Sequence, residues 1–167
     1  MLERVLTAAV VTATIGSGVV GGIFYAFSTV IMPTLARLPG EQGIAAMRMI
    51  NVVVINPFFM LAWMGTALLC LVLAGGALFW WQGLSGKLIL AASLLYLLGC
   101  FASTMVFNVP LNNQLAVADA AQLATLWPRY LDLWTMWNHV RTIVPILSAI
   151  LFILALVIRW APSPAPR

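Results

Sequence analysis

Charged residues are scarce in this sequence. Only 7% of its 167 residues are Asp, Glu, Lys or Arg, whereas a typical soluble domain contains roughly 25%. Hydrophobic residues make up 63% of the chain, and the mean hydropathy is +1.07. A chain with so few charges cannot cover the surface of a water-soluble fold. The composition therefore predicts an integral membrane protein that contacts the lipid bilayer, and the length suits one compact domain.

The residue types that bind metals or carry covalent catalysis are also few. The sequence has one histidine, four acidic residues and two cysteines, and no metal-ligand spacing, phosphate-binding loop or nucleophile motif is present. Cys70 and Cys100 both lie in apolar runs without CxxC spacing, so we interpret them as packing thiols. We therefore expect no metal and no cofactor. A haem ligated by His139 alone remains open, whereas a haem with two histidine ligands from one chain is excluded.

Basic residues form no cluster of the kind that binds nucleic acid. The eight Lys and Arg residues are scattered near the ends of apolar segments, where they act as topology and headgroup anchors. Their number is equal on the two predicted sides of the membrane. We assign Arg48 and Arg141 to a polar cluster rather than to topology, and on that basis we expect both termini to face the cytoplasm.

Four apolar segments are long enough to span a bilayer. We predict spans over residues 5–32, 57–79, 87–107 and 128–160, with Pro33 ending the first span and Pro128 beginning the last. The fold is expected to be all-α, an integral membrane four-helix bundle with up-down-up-down topology. Residues 1–160 would form this single transmembrane domain, and the Pro-rich tail 161–167 would be disordered.

The first and third connections are expected to lie on the same side of the membrane and to contain short amphipathic helices. Residues 44–54 fit the first of these helices, and the alanine-rich stretch 116–127 fits the second. Between the third span and that second helix, residues 108–113 are predicted as an extended turn, because Pro110 disfavours a helical conformation at Val109. Small-residue helix faces permit a homo-oligomer without requiring one.

The most polar part of the last predicted helix is segment 134–141, with the sequence WTMWNHVR. Only 17 residues separate Arg141 from Arg159, which corresponds to roughly 26 Å of helix, slightly less than a ~30 Å hydrocarbon core. The segment should therefore lie at the membrane boundary. Polar side chains at that depth are costly unless they have partners, which makes them candidates for a functional site.

A helical wheel separates the members of this segment. Trp134, Asn138 and Arg141 fall on one stripe, with Trp137 beside it. His139 is displaced by about 100° and shares its face with Asp132. Two interpretations stay open: a bend at Pro145 brings the two faces together, or His139 has a separate role.

Several amide and aromatic residues should lie at the same membrane level as this segment. A pocket with aromatic walls, and with amide, imidazole and guanidinium groups at one end, suits a flat and partly anionic aromatic molecule. In the structural alternative, Arg141 reaches the headgroups, Asn138 caps or bridges helices, His139 faces water, and the loop amides only stabilise turns. The predicted site residues are Tyr25, Arg48, Asn56, Asn108, Asn112, Trp134, Trp137, Asn138, His139 and Arg141.

Short motifs along the chain resemble the anthrone oxygenase-like family of membrane proteins. They are GIFYAFS at 22–28 followed by Met32-Pro33, MRMIN at 47–51 followed by Asn56-Pro57, NVPLN at 108–112 and WNHVR at 137–141. The resemblance covers nearly the whole chain except the tail, and the last two motifs are its most specific part. It implies a small four-helix membrane protein, located in bacteria in the inner (plasma) membrane. Some relatives oxidise an anthrone to an anthraquinone with dioxygen and no evident cofactor.

The resemblance implies an oxidative chemistry for the polar cluster. His139 would be the base, since imidazole can take up a proton near neutral pH. Arg141 and Asn138, with Asn108 or Asn112, would stabilise the substrate anion. The indole rings of Trp134 and Trp137 would hold the aromatic substrate. The alternative is a non-catalytic membrane protein that binds a hydrophobic ligand or a partner subunit.

Overall fold

The computed structural model describes residues 2–81 and 83–160, and over these residues the chain is helical without strands. The tail that we predicted to be disordered lies outside the described residues. Seven α-helices are joined in part by π-helical segments. The elements are α1 (Leu2–Ala26), a π-helix (Phe27–Ile31), α2 (Met32–Arg37), α3 (Gly40–Val53), α4 (Pro57–Phe79), α5 (Gly83–Leu94), two π-helices (Leu95–Ala102 and Thr104–Asn108), α6 (Val109–Val117) and α7 (Ala120–Trp160).

Within residues 2–81 and 83–160, four continuous helical segments are long and apolar enough to cross a membrane. They are Glu3–Arg37, Pro57–Phe79, Gly83–Val117 and Ala120–Arg159. Helix α1 packs against α4 and α7, and α5 packs against the same two helices. The prediction of an all-α membrane protein with four apolar helices, suited to a membrane helical bundle, is confirmed.

The helix boundaries near Pro33 and Pro110 differ from our predictions. Pro33 does not end the first helix, which continues to Arg37, and residues 108–113 are helical rather than extended. A proline in a helix clashes with the carbonyl four residues earlier. In both cases that carbonyl, of Thr29 or Val106, lies in a π-helix. Because a π-helical turn is wider than an α-helical one, it makes room for the proline ring.

The boundary predicted at Pro128 is also wrong. Helix α7 runs without interruption from Ala120 to Trp160, with Pro128 and Pro145 inside it. The chain instead breaks just before α7, where Asp119 and Gln122 form a reciprocal cap. The backbone N–H of Gln122 donates to Asp119 Oδ1 over 2.9 Å, and the backbone N–H of Asp119 donates to Gln122 Oε1 over 3.2 Å. This capping pair starts the helix before the proline is reached.

Helix α7 is longer than a bilayer is thick. Its 41 residues correspond to about 60 Å, twice the thickness of a hydrocarbon core. The first half of α7 packs with α2, α3 and α6 into a layer that we call the cap. The buried side chains of the cap are Met32, Leu35, Ile44, Met47, Leu115, Trp127, Tyr130 and Trp134. A second apolar cluster, centred on residues such as Tyr96 and Phe152, fills the four-helix region.

Arg48 joins two elements of the cap, α3 and the end of α6, by hydrogen bonds. Its Nε donates to the carbonyl of Leu115 and its Nη2 to the carbonyl of Ala118, each over 2.8 Å. These carbonyls lie at the carboxyl end of α6, where helical carbonyls have no partner within the helix. Arg48 therefore holds α3 against the end of α6.

Candidate functional site

A pocket of about 230 Å³ lies where the cap meets the four-helix region. This volume is just below the ~300 Å³ lower end of typical small-molecule sites. Ile55 and Met105 at its rim are 71% and 48% exposed, so the pocket opens to the molecular surface. We call it the aromatic pocket, and its lining residues are Phe24, Phe27, Ile50, Asn51, Val54, Ile55, Phe59, Met60, Trp63, Thr104, Met105, Val109, Asn112, Trp134 and Arg141.

Among the residues that the structure describes, Arg141 is the one charged residue that lines the aromatic pocket. It is only 3% exposed, and its guanidinium carbon lies 4.4 Å from the Phe24 ring centroid and 4.8 Å from that of Trp134. Its Nε is buried without a hydrogen-bond partner in the described part of the chain. The ion pair found among those residues joins Arg159 and Glu3 instead. Arg141 is thus a buried cation held by aromatic faces and, within residues 2–81 and 83–160, not neutralised by a carboxylate.

Asn138 forms a hydrogen bond with Arg141 from outside the pocket lining. Arg141 Nη2 donates to Asn138 Oδ1 over 2.9 Å. The Asn138 amide nitrogen donates to the carbonyl of Phe24 and to Ser28 Oγ, each over 2.8 Å. Both amide hydrogens are therefore used, and Asn138 does not line the aromatic pocket. Its position supports a role in fixing Arg141 rather than in contacting a ligand.

Asn112 contributes a second polar group to the pocket wall. Its Oδ1 accepts hydrogen bonds from Tyr130 Oη and Trp134 Nε1, each over 2.8 Å. The indole nitrogen can only donate, so the orientation of the amide is determined by this contact. The Asn112 Nδ2 group remains as a donor. Like Arg141, it is a donor group of the pocket wall that suits an electron-rich oxygen.

Asn108 is buried but does not line the pocket. Its Nδ2 donates to the carbonyl of Trp134 over 3.1 Å, and its Oδ1 has no hydrogen-bond partner among the described residues. This contact joins the third π-helix to α7, next to the pocket wall. Asn108 therefore lies close to Trp134 without reaching the cavity.

His139 lies on the other face of α7. Its side chain is exposed and lines a separate groove together with Asp132, Thr135 and Pro33. We call this the outer groove. His139 Nδ1 is 3.0 Å from Ser28 Oγ, and this contact links it to the residues around Arg141. His139 and Arg141 thus line different cavities, and the proline at position 145 does not bring them into one pocket.

The other predicted site residues have local roles. Tyr25 is 57% exposed, and the Trp137 ring stacks on Phe107 with centroids 3.5 Å apart. The Asn56 side chain caps α4 by accepting the backbone N–H groups of Phe58 and Phe59 at 3.1 and 3.0 Å. The pocket is thus lined by three of the predicted site residues: Asn112, Trp134 and Arg141.

Aromatic walls were predicted for the pocket, but four of the residues that form them, Phe24, Phe27, Phe59 and Trp63, were not among the predicted site residues. Trp63 stacks on Phe59 with centroids 6.4 Å apart and on Phe101 with centroids 4.7 Å apart. Phe24 and Phe27 form the wall contributed by the first helix. Phe24 and Phe27 are three residues apart, and Phe59 and Trp63 are four residues apart. Each of these two pairs therefore lies on one helix face. That periodicity was the signal available in the sequence.

The described residues offer no cluster for a metal ion. Over residues 2–81 and 83–160, no group of three His, Cys, Asp or Glu side chains is close enough to coordinate one. The polar side chains that line the aromatic pocket are those of Asn51, Thr104, Asn112 and Arg141.

The chain matches a known protein family. A family model described as anthrone oxygenase matches residues 59–151, which is more than half of the 167 residues. No curated protein and no solved structure matches the chain. The matched region begins in α4 and includes Trp63, Asn112, Trp134 and Arg141. The resemblance found in the sequence is confirmed, and the chain belongs to the anthrone oxygenase family.

Proposed function

We propose that this membrane protein is a cofactor-independent oxygenase that oxidises an anthrone-like polycyclic phenol to a quinone with dioxygen. The observation that carries this proposal is the guanidinium of Arg141, buried between two aromatic rings at the wall of the aromatic pocket. A buried charge without an opposite charge is costly. An anionic aromatic ligand would supply that charge and would also fit the aromatic walls.

The proposed reaction starts with loss of a proton from the ring CH₂ group of the anthrone, which leaves a delocalised anion. The carbanionic carbon attacks dioxygen and forms a carbon–oxygen bond, so that the carbon is oxidised and dioxygen is reduced to a bound peroxide. The peroxide oxygen takes up a proton. Loss of the remaining C–H proton and cleavage of the O–O bond then release water and leave a carbonyl group. One oxygen atom enters the quinone and the other enters water.

Arg141 and Asn112 are proposed to stabilise the anion. The negative charge of the deprotonated anthrone is shared with its carbonyl oxygen, which guanidinium and amide N–H groups can bind. Donors fixed in place before the reaction lower the barrier because they need not reorganise as charge develops. Asn138 contributes indirectly, because it fixes the guanidinium through its hydrogen bond with Arg141 Nη2.

In the described part of the chain, the side chains that line the aromatic pocket include no carboxylate and no imidazole. We therefore propose that the substrate proton passes to water, once Arg141 has made the CH₂ group more acidic. Direct proton transfer to His139 would require the substrate to lie in the outer groove, where this residue is found. The outer groove has fewer aromatic side chains than the aromatic pocket, so we favour the aromatic pocket as the site of the reaction.

The experiment is oxidation of 1,8-dihydroxyanthrone by purified protein under isotopically labelled dioxygen. The proposal predicts quinone formation faster than in protein-free detergent solution, with one labelled oxygen atom in each quinone. Because anthrones oxidise spontaneously, only the excess rate counts. A rate equal to that of the protein-free control, with folded protein that binds the substrate, would refute the proposal.

The second candidate function is ligand binding without turnover. The absence of a base among the lining residues of the aromatic pocket is the observation that favours it. A non-catalytic protein would bind 1,8-dihydroxyanthrone and quench tryptophan fluorescence, yet leave its oxidation rate at the background value. The same purified sample distinguishes the two functions.

We also propose that the four spans alternate in direction and that both termini face the cytoplasm. Arg48 is bound to carbonyl groups of the cap, and Arg141 lies in the aromatic pocket. Neither is then available as a flanking charge, so the cap side of the membrane has two fewer basic residues that can determine the orientation. The positive-inside rule then favours a cytoplasmic location for the side with the termini. Reporter fusions at each terminus test this orientation, and an exported reporter at either terminus contradicts it.

A further inference from the structure

Ser28 connects the two faces of α7. It lies in the π-helix after α1 and is 8% exposed. Its Oγ is 2.8 Å from Asn138 Nδ2, 3.0 Å from His139 Nδ1 and 3.1 Å from Thr142 Oγ1. All three partners are on α7, and they include both the residue that holds Arg141 and the residue that lines the outer groove.

One assignment of the hydrogen atoms makes every contact in this cluster a hydrogen bond. The Thr142 hydroxyl donates to the backbone carbonyl of Asn138 over 2.9 Å, so its oxygen is an acceptor toward Ser28. The single hydroxyl hydrogen of Ser28 is then directed to Thr142. The Asn138 amide can only donate at Nδ2, so Ser28 Oγ accepts from it.

The same assignment determines the role of His139. Since the only hydrogen of Ser28 is used on Thr142, the contact between His139 Nδ1 and Ser28 Oγ requires the hydrogen to be on Nδ1. Both neutral imidazole with this tautomer and imidazolium satisfy the requirement. In this assignment His139 Nδ1 is a donor within the cluster, and the ring nitrogen free to accept a proton is Nε2.

We propose that His139 is a positioning residue for the aromatic pocket and that Ser28 transmits its effect. His139 holds Ser28, Ser28 holds the amide of Asn138, and Asn138 holds the guanidinium of Arg141. The inference rests on the proposed function in one respect, which is that Arg141 binds the ligand anion. It differs from the expectation that His139 removes the substrate proton.

An isosteric pair of substitutions separates the two roles. Asparagine at position 139 offers an amide N–H close to the position of Nδ1, whereas aspartate of the same shape offers only acceptors there. A positioning role predicts that His139→Asn stays close to wild type and that His139→Asp is impaired. A role as the base predicts the opposite order, because a carboxylate can accept a proton and an amide cannot.

The readouts are the excess oxidation rate with 1,8-dihydroxyanthrone and the dissociation constant of 1,8-dihydroxyanthraquinone. The second compound is not oxidised further, so its binding, followed by tryptophan quenching, can be measured even if the protein has no oxygenase activity. Loss of one hydrogen bond in the series that links His139 to Arg141 should weaken probe binding by about tenfold in His139→Asp and Ser28→Ala. Thermal unfolding in detergent verifies that each variant is folded.

The double variant Ser28→Ala/His139→Ala tests the order of the contacts. If His139 acts through Ser28, the double variant binds the probe no more weakly than Ser28→Ala alone, because members of one network are not additive. Additive losses overturn the inference, and so does activity retained in His139→Asp but lost in His139→Asn. Unchanged probe binding in every folded variant also overturns it. A wild type that binds the probe but has no excess oxidation refutes the proposed function alone.

Discussion

The guanidinium of Arg141 lies over the indole ring of Trp134, with its central carbon 4.8 Å from the ring centroid. The two residues are seven positions apart on α7, so they occupy the same face of the helix two turns apart. The indole N–H of Trp134 is bound by Asn112, which fixes the ring under the cation. This arrangement gives the aromatic pocket one cationic wall of defined geometry, from which the following predictions are derived.

Arg141→Met should abolish binding of the anionic ligand while keeping a side chain of similar apolar bulk. Removal of a preorganised donor from an anion-stabilising site lowers turnover by about 10²–10³-fold. Arg141→Lys should be nearly as impaired, because an ammonium group cannot reproduce the planar stacking on Phe24 and Trp134. Excess oxidation of 1,8-dihydroxyanthrone measures both effects.

The matched control for these variants is Arg37→Met, which removes one positive charge from an exposed position on α2. It should retain the wild-type oxidation rate and probe affinity. An equal loss in Arg37→Met and Arg141→Met would mean that net charge, rather than the pocket, determines activity.

Asn112→Asp should weaken ligand binding without disturbing the fold. Aspartate keeps an acceptor oxygen for Tyr130 and Trp134 but replaces the amide donor by a second acceptor. A negative charge beside an anionic ligand is unfavourable, and we expect at least about a tenfold weaker affinity. Tryptophan quenching by 1,8-dihydroxyanthraquinone measures the affinity. Affinity equal to wild type would exclude Asn112 from the ligand site.

Arg48→Met should destabilise the cap. The variant leaves the carbonyls of Leu115 and Ala118 without their 2.8 Å hydrogen bonds, at a cost of about 1–3 kcal/mol. We expect a lower midpoint of thermal unfolding in detergent. Arg129→Met, at an exposed position on α7, is the control and should unfold as the wild type does. Equal midpoints for Arg48→Met and wild type would contradict the role of Arg48 in holding α3 to α6.

Met105→Trp should slow ligand entry. Met105 lies at the rim of the aromatic pocket and is 48% exposed, so a larger side chain narrows the opening without touching Arg141. A steric barrier at the entrance slows association and dissociation alike, and the dissociation constant should change little. Stopped-flow quenching with the anthraquinone probe measures both rates. Leu98→Trp, an exposed position outside the pocket, should leave them unchanged.

The membrane class and the four apolar helices could be predicted because they depend on composition and segment length alone. The grouping of Trp134, Asn138 and Arg141 on one face followed from helical periodicity, since α7 is regular at this point. The helix ends were harder to predict. Pro33, Pro110 and Pro128 are ordinary helix-breaking signals, but π-helical turns make room for the first two, and a capping pair starts α7 upstream of the third.

The pocket itself could be predicted only in part. Asn56 and Arg48 were predicted as site residues because they are polar and lie near a membrane boundary. In the structure both side chains form hydrogen bonds with backbone groups at helix ends. Such local partners depend on where each helix begins or ends, which the sequence does not fix to a single residue. Phe24 and Trp63 were not predicted as site residues because they are apolar residues within apolar spans. The spacing of aromatic residues can place them on one face of an apolar helix, but it does not distinguish a pocket wall from a face that contacts lipid.

The central claim is that Arg141 makes the aromatic pocket an oxygenase site. The most direct test is dioxygen uptake by purified wild-type protein and by Arg141→Met, each supplied with 1,8-dihydroxyanthrone and corrected for protein-free oxidation. We predict an excess uptake of one dioxygen per quinone formed in the wild type and none in the folded variant. Equal excess uptake by both proteins would contradict the claim, because it would place the oxidation somewhere other than beside Arg141.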